Sequence, residues 1–378
     1  MRIAHLSDLH LGYRQFTRTT PGGQNVREAD VDRTLGVAVD RLIAIAPAAI
    51  VIGGDVFHAV RPGNSVIVTA YREFQRLREA LPSTPVVMVA GNHDTPRSSE
   101  TGNILHLFRA LGVTVVTGRP ERVRLPELRL SVLAVPDMPA PVKVDYSPDS
   151  EAEWNVLLMH GEVGAGGWDA ADGPAWDYVA LGHYHTHQEV AVGAWYSGSI
   201  DYTSTSIWGE LRAGPKGIVE HDLATGEHLF HLLPESRRVI DLPAIDGSGL
   251  EAPELDDALA AAIERIPGGI DGAVLRQVVT EVPRTVSRAL DPRRLREYRR
   301  RALSYQLDCR KPAFGGVAVF AGRPRGQTLE EMLADKLATI HLPDSVSRET
   351  LTGLASDYLR QAAEKLEGVR PTESGGTV

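Results

Sequence analysis

The chain has 378 residues, a formal net charge of −9 and one cysteine, Cys309, with 43% hydrophobic and 24% charged residues. That length supports more than one packed core, and the balance is that of a folded globular protein rather than a fibrous or disordered one. The single thiol excludes an intramolecular disulfide and a thiolate metal cluster, and the longest apolar run, 42–54, contains Pro47 and is too short to span a bilayer. With His5, Asp8 and His10 where a secretory signal needs an apolar core, a cytoplasmic location is expected.

From residue 1 to about 235, apolar β-type runs alternate with amphipathic helical stretches, the pattern of a layered α/β domain. The first run, RIAHLSDLH (2–10), delivers Asp8 and His10 to its end. A helix is predicted near 28–46, where Val31, Leu35, Val39, Leu42 and Ile43 share a face. IVIGGD (50–55) ends in Asp55, with His58 three residues on. After a second helix near 64–81, VVMVAGNHD (86–94) brings Asn92, His93 and Asp94, and a third helix is predicted near 103–111. Past Gly112 the chain turns strand-rich, and NVLLMHG (155–161) and YVALGHYH (178–185) end on His160, His183 and His185. A mixed sheet or two stacked sheets is expected rather than a purely parallel one.

The Pro- and Gly-rich stretch 234–254 reads as a boundary. Beyond it, a helix (255–266), a strand (273–282), a basic helix (291–303) and a strand (304–309) suffice for a small α+β cap domain over 237–323. Residues 283–325 hold twelve Arg or Lys against three acids. Arg293, Arg296, Arg299 and Arg300 on the basic helix are candidates for contact with a phosphate backbone, although several arginines there would be solvated surface whatever the function. Two amphipathic helices are predicted in 326–368, at 328–340 and 347–366, the first opening on a capping-box pair, Thr328 and Glu331. The polar end, 369–378, is expected to be disordered.

Open α/β sheets place their sites at the carboxyl ends of strands, so sequence-distant ligands can meet at one rim. A packed or capping histidine explains any one of these strand ends, but five together point to a metal centre. Two aspartates, one amide and four imidazoles suit a pair of hard or borderline divalent ions, with open positions for water and a phosphate ester. Glycines beside the ligands, as in GGD, AGNHD and LGHYH, allow close backbone approach.

Taken in order, DLHLG, GDVFH, GNHD, MHGE and GHYH resemble the calcineurin-like metallophosphoesterases, over residues 1 to about 235. SDLHLGY, GDVFHAVRPG and YSGSIDYTS (196–204) are similar to the SbcD branch, nuclease subunits of DNA double-strand-break repair. The resemblance implies that Asp8, His10, Asp55 and His185 hold one manganese ion and Asp55, Asn92, His160 and His183 the other, with Asp55 bridging. It further implies that His93 protonates the leaving oxygen, that His58 contacts the substrate phosphate and that Asp94 orients His93 through a hydrogen bond. A cap that guides DNA, tail helices that dock on the coiled coil of an SbcC-type ATPase, and a symmetric dimer using Val66, Val68, Tyr71 and Phe74 belong to the same expectation.

The expected function is therefore a manganese-dependent DNA exonuclease and endonuclease with a two-metal mechanism, working in an SbcCD-type repair and recombination complex. The same ligands would equally serve a phosphoesterase acting on a small-molecule phosphodiester or a phosphoprotein. A non-enzymatic scaffold is disfavoured, because this chain keeps the whole ligand set.

Overall fold

A computed structural model describes residues 1–98, 102–138, 142–164, 168–169, 176–312, 336–337 and 347–367, with side chains in the last helix to residue 358. The chain divides into two compact units, Met1–Lys311 and Pro312–Val378. In the first, strands β1 (Arg2–Leu6), β2 (Ala49–Ile52), β3 (Val86–Val89) and β4 (Thr114–Val116) run parallel in a six-stranded sheet completed by the antiparallel β11 (Gly217–Asp222) and β12 (His228–Leu232). A second six-stranded sheet has the order β5 (Glu121–Leu125), β6 (Leu130–Val135), β7 (Trp154–His160), β8 (Tyr178–Gly182), β10 (Ala194–Tyr196) and β9 (Gln188–Ala191).

The period-two alternation of the strands decides how these sheets pack. Ile3, Val51, Val87 and Val89 face Val132, Ala134, Val156, Leu158 and Ala180 in a core between the two sheets. Their sequence neighbours Ala4, Ile50, Ile52 and Met88 point the other way, against helices α1 (Val26–Ile45) and α2 (Asn64–Ala80) and the 3₁₀ helix Ile104–Leu111. Layered mixed sheets flanked by helices are the expected fold class. Asn25 caps α1 by accepting from the backbone N–H groups of Arg27 and Glu28. Val66 and Phe74 of α2, expected to help form a dimer surface, are 1% and 2% exposed and belong to this core, whereas Val68 is open to solvent.

A third sheet, all parallel, has the order β13 (Val239–Asp246), β14 (Val274–Thr280) and β15 (Ser304–Cys309). The helices α4 (Ala252–Glu264), α5 (Arg284–Ala289) and α6 (Pro292–Arg301) accompany it, and α3 (Ile207–Ala213) precedes it in the chain. Strand β13 lies inside the stretch read as a boundary. Its Pro243 sits where the register slips between Leu242 and Ile245 on an edge strand, the place in a sheet that tolerates a missing donor. In the second unit, α7 spans Arg348–Glu367. Apart from Lys336 and Leu337, the expected tail helix 328–340 lies outside the described residues, as does 369–378.

Where β1 and β11 meet β8, β10 and β12, flat rings fill the space between the first two sheets. Trp195 stacks on His228 at 3.8 Å, His187 on Phe230 at 4.1 Å, and Tyr178 on His221 at 4.3 Å. Neither ring nitrogen of His228 has a hydrogen-bond partner among the described residues. Burial lowers the pKa of His228 from 6.5 to about 4, with neighbouring His187 and His221 adding to the effect, and burial lowers His5 to about 3. The unfolded chain therefore binds more protons than the folded one below pH 6.5, so stability present above that value is lost as pH falls through these folded values. His228→Phe, which keeps the stack, should lose less thermal stability than the native chain between pH 6.5 and about 4. Parallel melting curves across that range would instead show that charging His228 does not oppose folding.

Candidate metal centre

The loops leaving β1, β2, β3, β7 and β8 converge on one rim. Backbone hydrogen bonds zip the first two together: Asp8 N–H donates to Gly54 C=O and His10 N–H to Asp55 C=O, both at 2.9 Å. Four candidate ligands lie at positive φ, Asp8 at 54°, His10 at 46°, Asp55 at 50° and His183 at 121°. Residues with a Cβ avoid this region, at a cost of order 1–3 kcal/mol each. The pairing of the loops and the core beneath them hold these turns in place. Glycines make room beside them: a Cβ on Gly91 would lie 2.1 Å from Asp55 Oδ1, and one on Gly54, itself at φ 89°, would lie 2.6 Å from His160 Nδ1.

Ligand-type atoms of Asp8, His10 and His185 all lie within 4.8 Å of one another, as do those of Asp8, Asp55 and His160. Asp55 Oδ2 is 3.7 Å from the Nε2 atoms of both His10 and His160. The two Nε2 atoms of His10 and His185 are 2.9 Å apart. On the other side, Asn92 Oδ1 is 3.0 Å from His160 Nε2 and 3.2 Å from His183 Nδ1. All seven ligand candidates are thus brought together, in two groups that meet at Asp55.

On two of these rings an acceptor outside the cluster fixes the hydrogen-bearing nitrogen. His160 Nδ1–H donates to Gly53 C=O at 2.7 Å, and His185 Nδ1–H faces Glu210 Oε1 at 2.5 Å, so both Nε2 lone pairs turn into the cluster. Burial lowers the pKa of His10 and His160, keeping them neutral, and burial raises that of Asp8 and Asp55. Burial thus disfavours the charged form of each of these groups taken alone, and a divalent cation between convergent imidazole lone pairs and carboxylates would offset that cost. The residues fit a pair of such ions.

His58 and His93 flank this cluster. Their rings stack at 5.2 Å, His93 Nδ1–H donates to His58 C=O at 2.8 Å, and His58 Nδ1 is 3.2 Å from His10 Nδ1. Nε2 is then the ring atom of His93 left to exchange a proton. Asp94 departs from expectation, for it makes no hydrogen bond to the His93 ring. Fully buried, its carboxylate accepts from the backbone N–H groups of Val56 (3.1 Å), Phe57 (2.9 Å) and Gly91 (3.0 Å), and burial, reinforced by the nearby Asp55, pushes its pKa up to about 7. It ties the loop after β2 to the loop after β3.

Two buried residues bear on the site without having stood out in the sequence. Glu210 of α3 takes the Nδ1–H of His185, and Lys216 Nζ donates to His185 C=O at 2.7 Å and to Ser199 Oγ at 2.8 Å. Beside Asn92 and His93 a cleft of about 570 Å³ opens, lined also by Arg61 and Arg97. The basic helix α6 packs on the third sheet, with Tyr298 edge-on to Tyr305 of β15. Arg300 there is paired with Glu297 through two hydrogen bonds, 2.9 and 2.8 Å, which spends part of its charge. Among the described residues the exposed side chains of Arg293, Arg296 and Arg299 have no acidic partner.

Residues 1–187 form a calcineurin-like phosphoesterase domain, and this rim, at the strand ends of its paired mixed sheets, is where residues that could hold its metal meet. The chain is similar to archaeal proteins named DNA double-strand break repair protein Mre11. That of Methanococcus maripaludis is 25% identical over 59% of this chain and 63% of its own length. That of Methanosarcina acetivorans is 27% identical over 71% of this chain and 45% of its own. The chain thus spans about half to two thirds of the length of these relatives. The crystal structure of a Pseudomonas putida nuclease, MPE, aligns with 40% of this chain and 57% of that chain at 18% identity, with a TM-score of 0.21.

Removing the Asp94 carboxylate leaves three buried amide donors unpaired. Asp94→Ala should therefore lower stability by about 3–5 kcal/mol, and Asp94→Asn, which keeps an acceptor oxygen, by distinctly less. Urea unfolding midpoints measure both. A native midpoint in Asp94→Ala together with lost activity would return Asp94 to the role of orienting His93.

Proposed function

We propose that this protein is a manganese-dependent DNA nuclease, with exonuclease and endonuclease activity, that hydrolyses phosphodiester bonds at a two-metal centre. The observation that carries this reading is the meeting of two ligand groups at Asp55 directly beside His93. In this reading Asp8, His10, Asp55 and His185 hold one ion and Asp55, Asn92, His160 and His183 the other. The chemistry such a pair supplies is hydroxide near neutral pH and neutralisation of charge on the attacked phosphate. The chain supplies the rest. His93 gives the leaving oxygen a proton from Nε2, its other nitrogen being engaged by the His58 carbonyl, and the His58 ring contacts a phosphate oxygen.

The choice of DNA draws on the names of the relatives and on Arg293, Arg296 and Arg299 of α6, which have no acidic partner among the described residues. The whole surface carries a net charge of −9, so attraction to a phosphate backbone has to come from local basic elements. The apolar stripe of α7, with Leu351, Leu354 and Tyr358, is the proposed contact for a coiled-coil, SbcC-type ATPase in a cytoplasmic repair complex of two nuclease subunits. Tyr358 is 72% and Leu354 54% exposed. Among the described residues no helix is long and apolar enough to cross a membrane.

Incubated with manganese chloride, the native chain should degrade linear duplex DNA, and His93→Ala should abolish this while taking up as much manganese. Hydrolysis confined to a small phosphodiester or to phosphoproteins would sink the nuclease reading in favour of the other phosphoesterase class. Replacing Arg293, Arg296 and Arg299 with Ala together should reduce the slope of log affinity against log salt by roughly 2–3. An unchanged slope would make these arginines solvated surface.

A further inference from the structure

The short helix α3 has its two sides in different parts of the molecule. Inward, Glu210 is 6% exposed, and besides His185 Nδ1 its carboxylate accepts from the backbone N–H groups of Thr203 and Ser204, both at 3.1 Å. Lys216 Nζ lies 3.5 Å from the same carboxylate. Outward, Trp208 Nε1–H donates to Gln306 Oε1 of β15 at 3.1 Å, and its ring lies under the Arg276 guanidinium of β14 at 4.9 Å. Arg212 donates to Asp241 of β13 at 3.3 Å, the carboxylate that Arg276 also grips. Between them, Ile207 packs with Val239, Val274 and Leu303. One two-turn helix thus touches a ligand candidate on one side and all three strands of the third sheet on the other.

A carboxylate on the far nitrogen of a ligand imidazole fixes its tautomer, orients the ring and makes the metal-facing nitrogen a better donor. A helix this short has no stability of its own, so its position is set by what it packs against. If the third sheet shifts, Glu210 has to move with Trp208 and Arg212, and the hydrogen bond to His185 lengthens.

We propose that Glu210 is a positioning residue of the metal centre and that α3 couples the seating of the third sheet to His185. Loosening that sheet then lowers the affinity of one of the two metal positions and leaves the other nearly unchanged. This inference rests on the reading of His185 as a metal ligand.

The test is titration of the full chain with manganese chloride by calorimetry, with the spin-coupled manganese signal followed by electron paramagnetic resonance. Glu210→Ala should weaken one site by roughly 10–100-fold and the other little. Glu210→Gln, which keeps an acceptor oxygen, should weaken the same site less. Trp208→Ala touches no ligand and should weaken that site too. Should Glu210→Ala fail to fold, with Lys216 left buried without its counter-charge, Trp208→Ala decides. Native affinity at both sites in Trp208→Ala, or equal weakening of both, would overturn the coupling. A native chain that takes up no manganese would overturn the two-metal reading itself, and this inference with it.

Discussion

The carboxylate of Asp55 is the constraint around which the rim is built. One oxygen stands 3.7 Å from imidazoles delivered by β1 and by β7, strands of different sheets, and the other accepts the His93 backbone N–H at 2.8 Å. Two sheets whose hydrophobic faces merely stacked could slide by a residue at modest cost, since apolar contact is non-directional. Directional hydrogen bonds from the second sheet to the loops around this 2% exposed group, His160 Nδ1–H to Gly53 C=O at 2.7 Å and His183 N–H to the Asp8 carboxylate at 3.1 Å, remove that freedom. The positive φ angles at Asp8, His10, Asp55 and His183 are the local strain that comes with turning side chains into so small a space, and the core between the sheets is what sustains it.

Sequence reasoning reached this rim because the signal was local: an apolar run, a glycine, then a ligand-type residue. The same reasoning could not see Glu210 or Lys216. They lie in α3 and ahead of β11, in a stretch without apolar periodicity, and their importance comes from a partner some 25 or more residues away. Asp94 shows the complementary failure. Its place in GNHD suggested His93 as its partner, but three amides converge on it from two loops that only the fold brings together. Strand β13 was hidden for another reason, since Pro243 reads as punctuation until the bulge that accommodates it is known.

The third layer is tied to the first two by more than α3. Arg237, just ahead of β13, pairs with Asp30 of α1 and donates to Gly272 C=O. Asp30 in turn holds the wholly buried Arg27, which reaches Asp201 at 2.9 Å in the loop between β10 and α3. Buried pairs of this kind add little net stability, because each charge has lost its water, but breaking one strands its partner. They therefore act more on geometry than on stability, restricting the layer to seatings in which every charge keeps a partner.

The arginines of α6 can be weighed in the same terms. At its C-terminal end, Arg299, Arg300 and Arg301 are favoured by the helix dipole, and Arg18 supplies donors to the Arg299 and Arg300 carbonyls at 2.6 Å. Structure alone is a sufficient reason for charge there. The first turn is different, since a cation near a helix N-terminus is opposed by the dipole, by about 0.3–1 kcal/mol. Arg294 offsets this through Asp257 at 2.8 Å, but the side chain of Arg293 has no acidic partner among the described residues. For Arg293 the described residues thus supply a cost of that size and no offsetting ion pair, so its charge, unlike that of Arg299, Arg300 and Arg301, has no explanation in the helix itself.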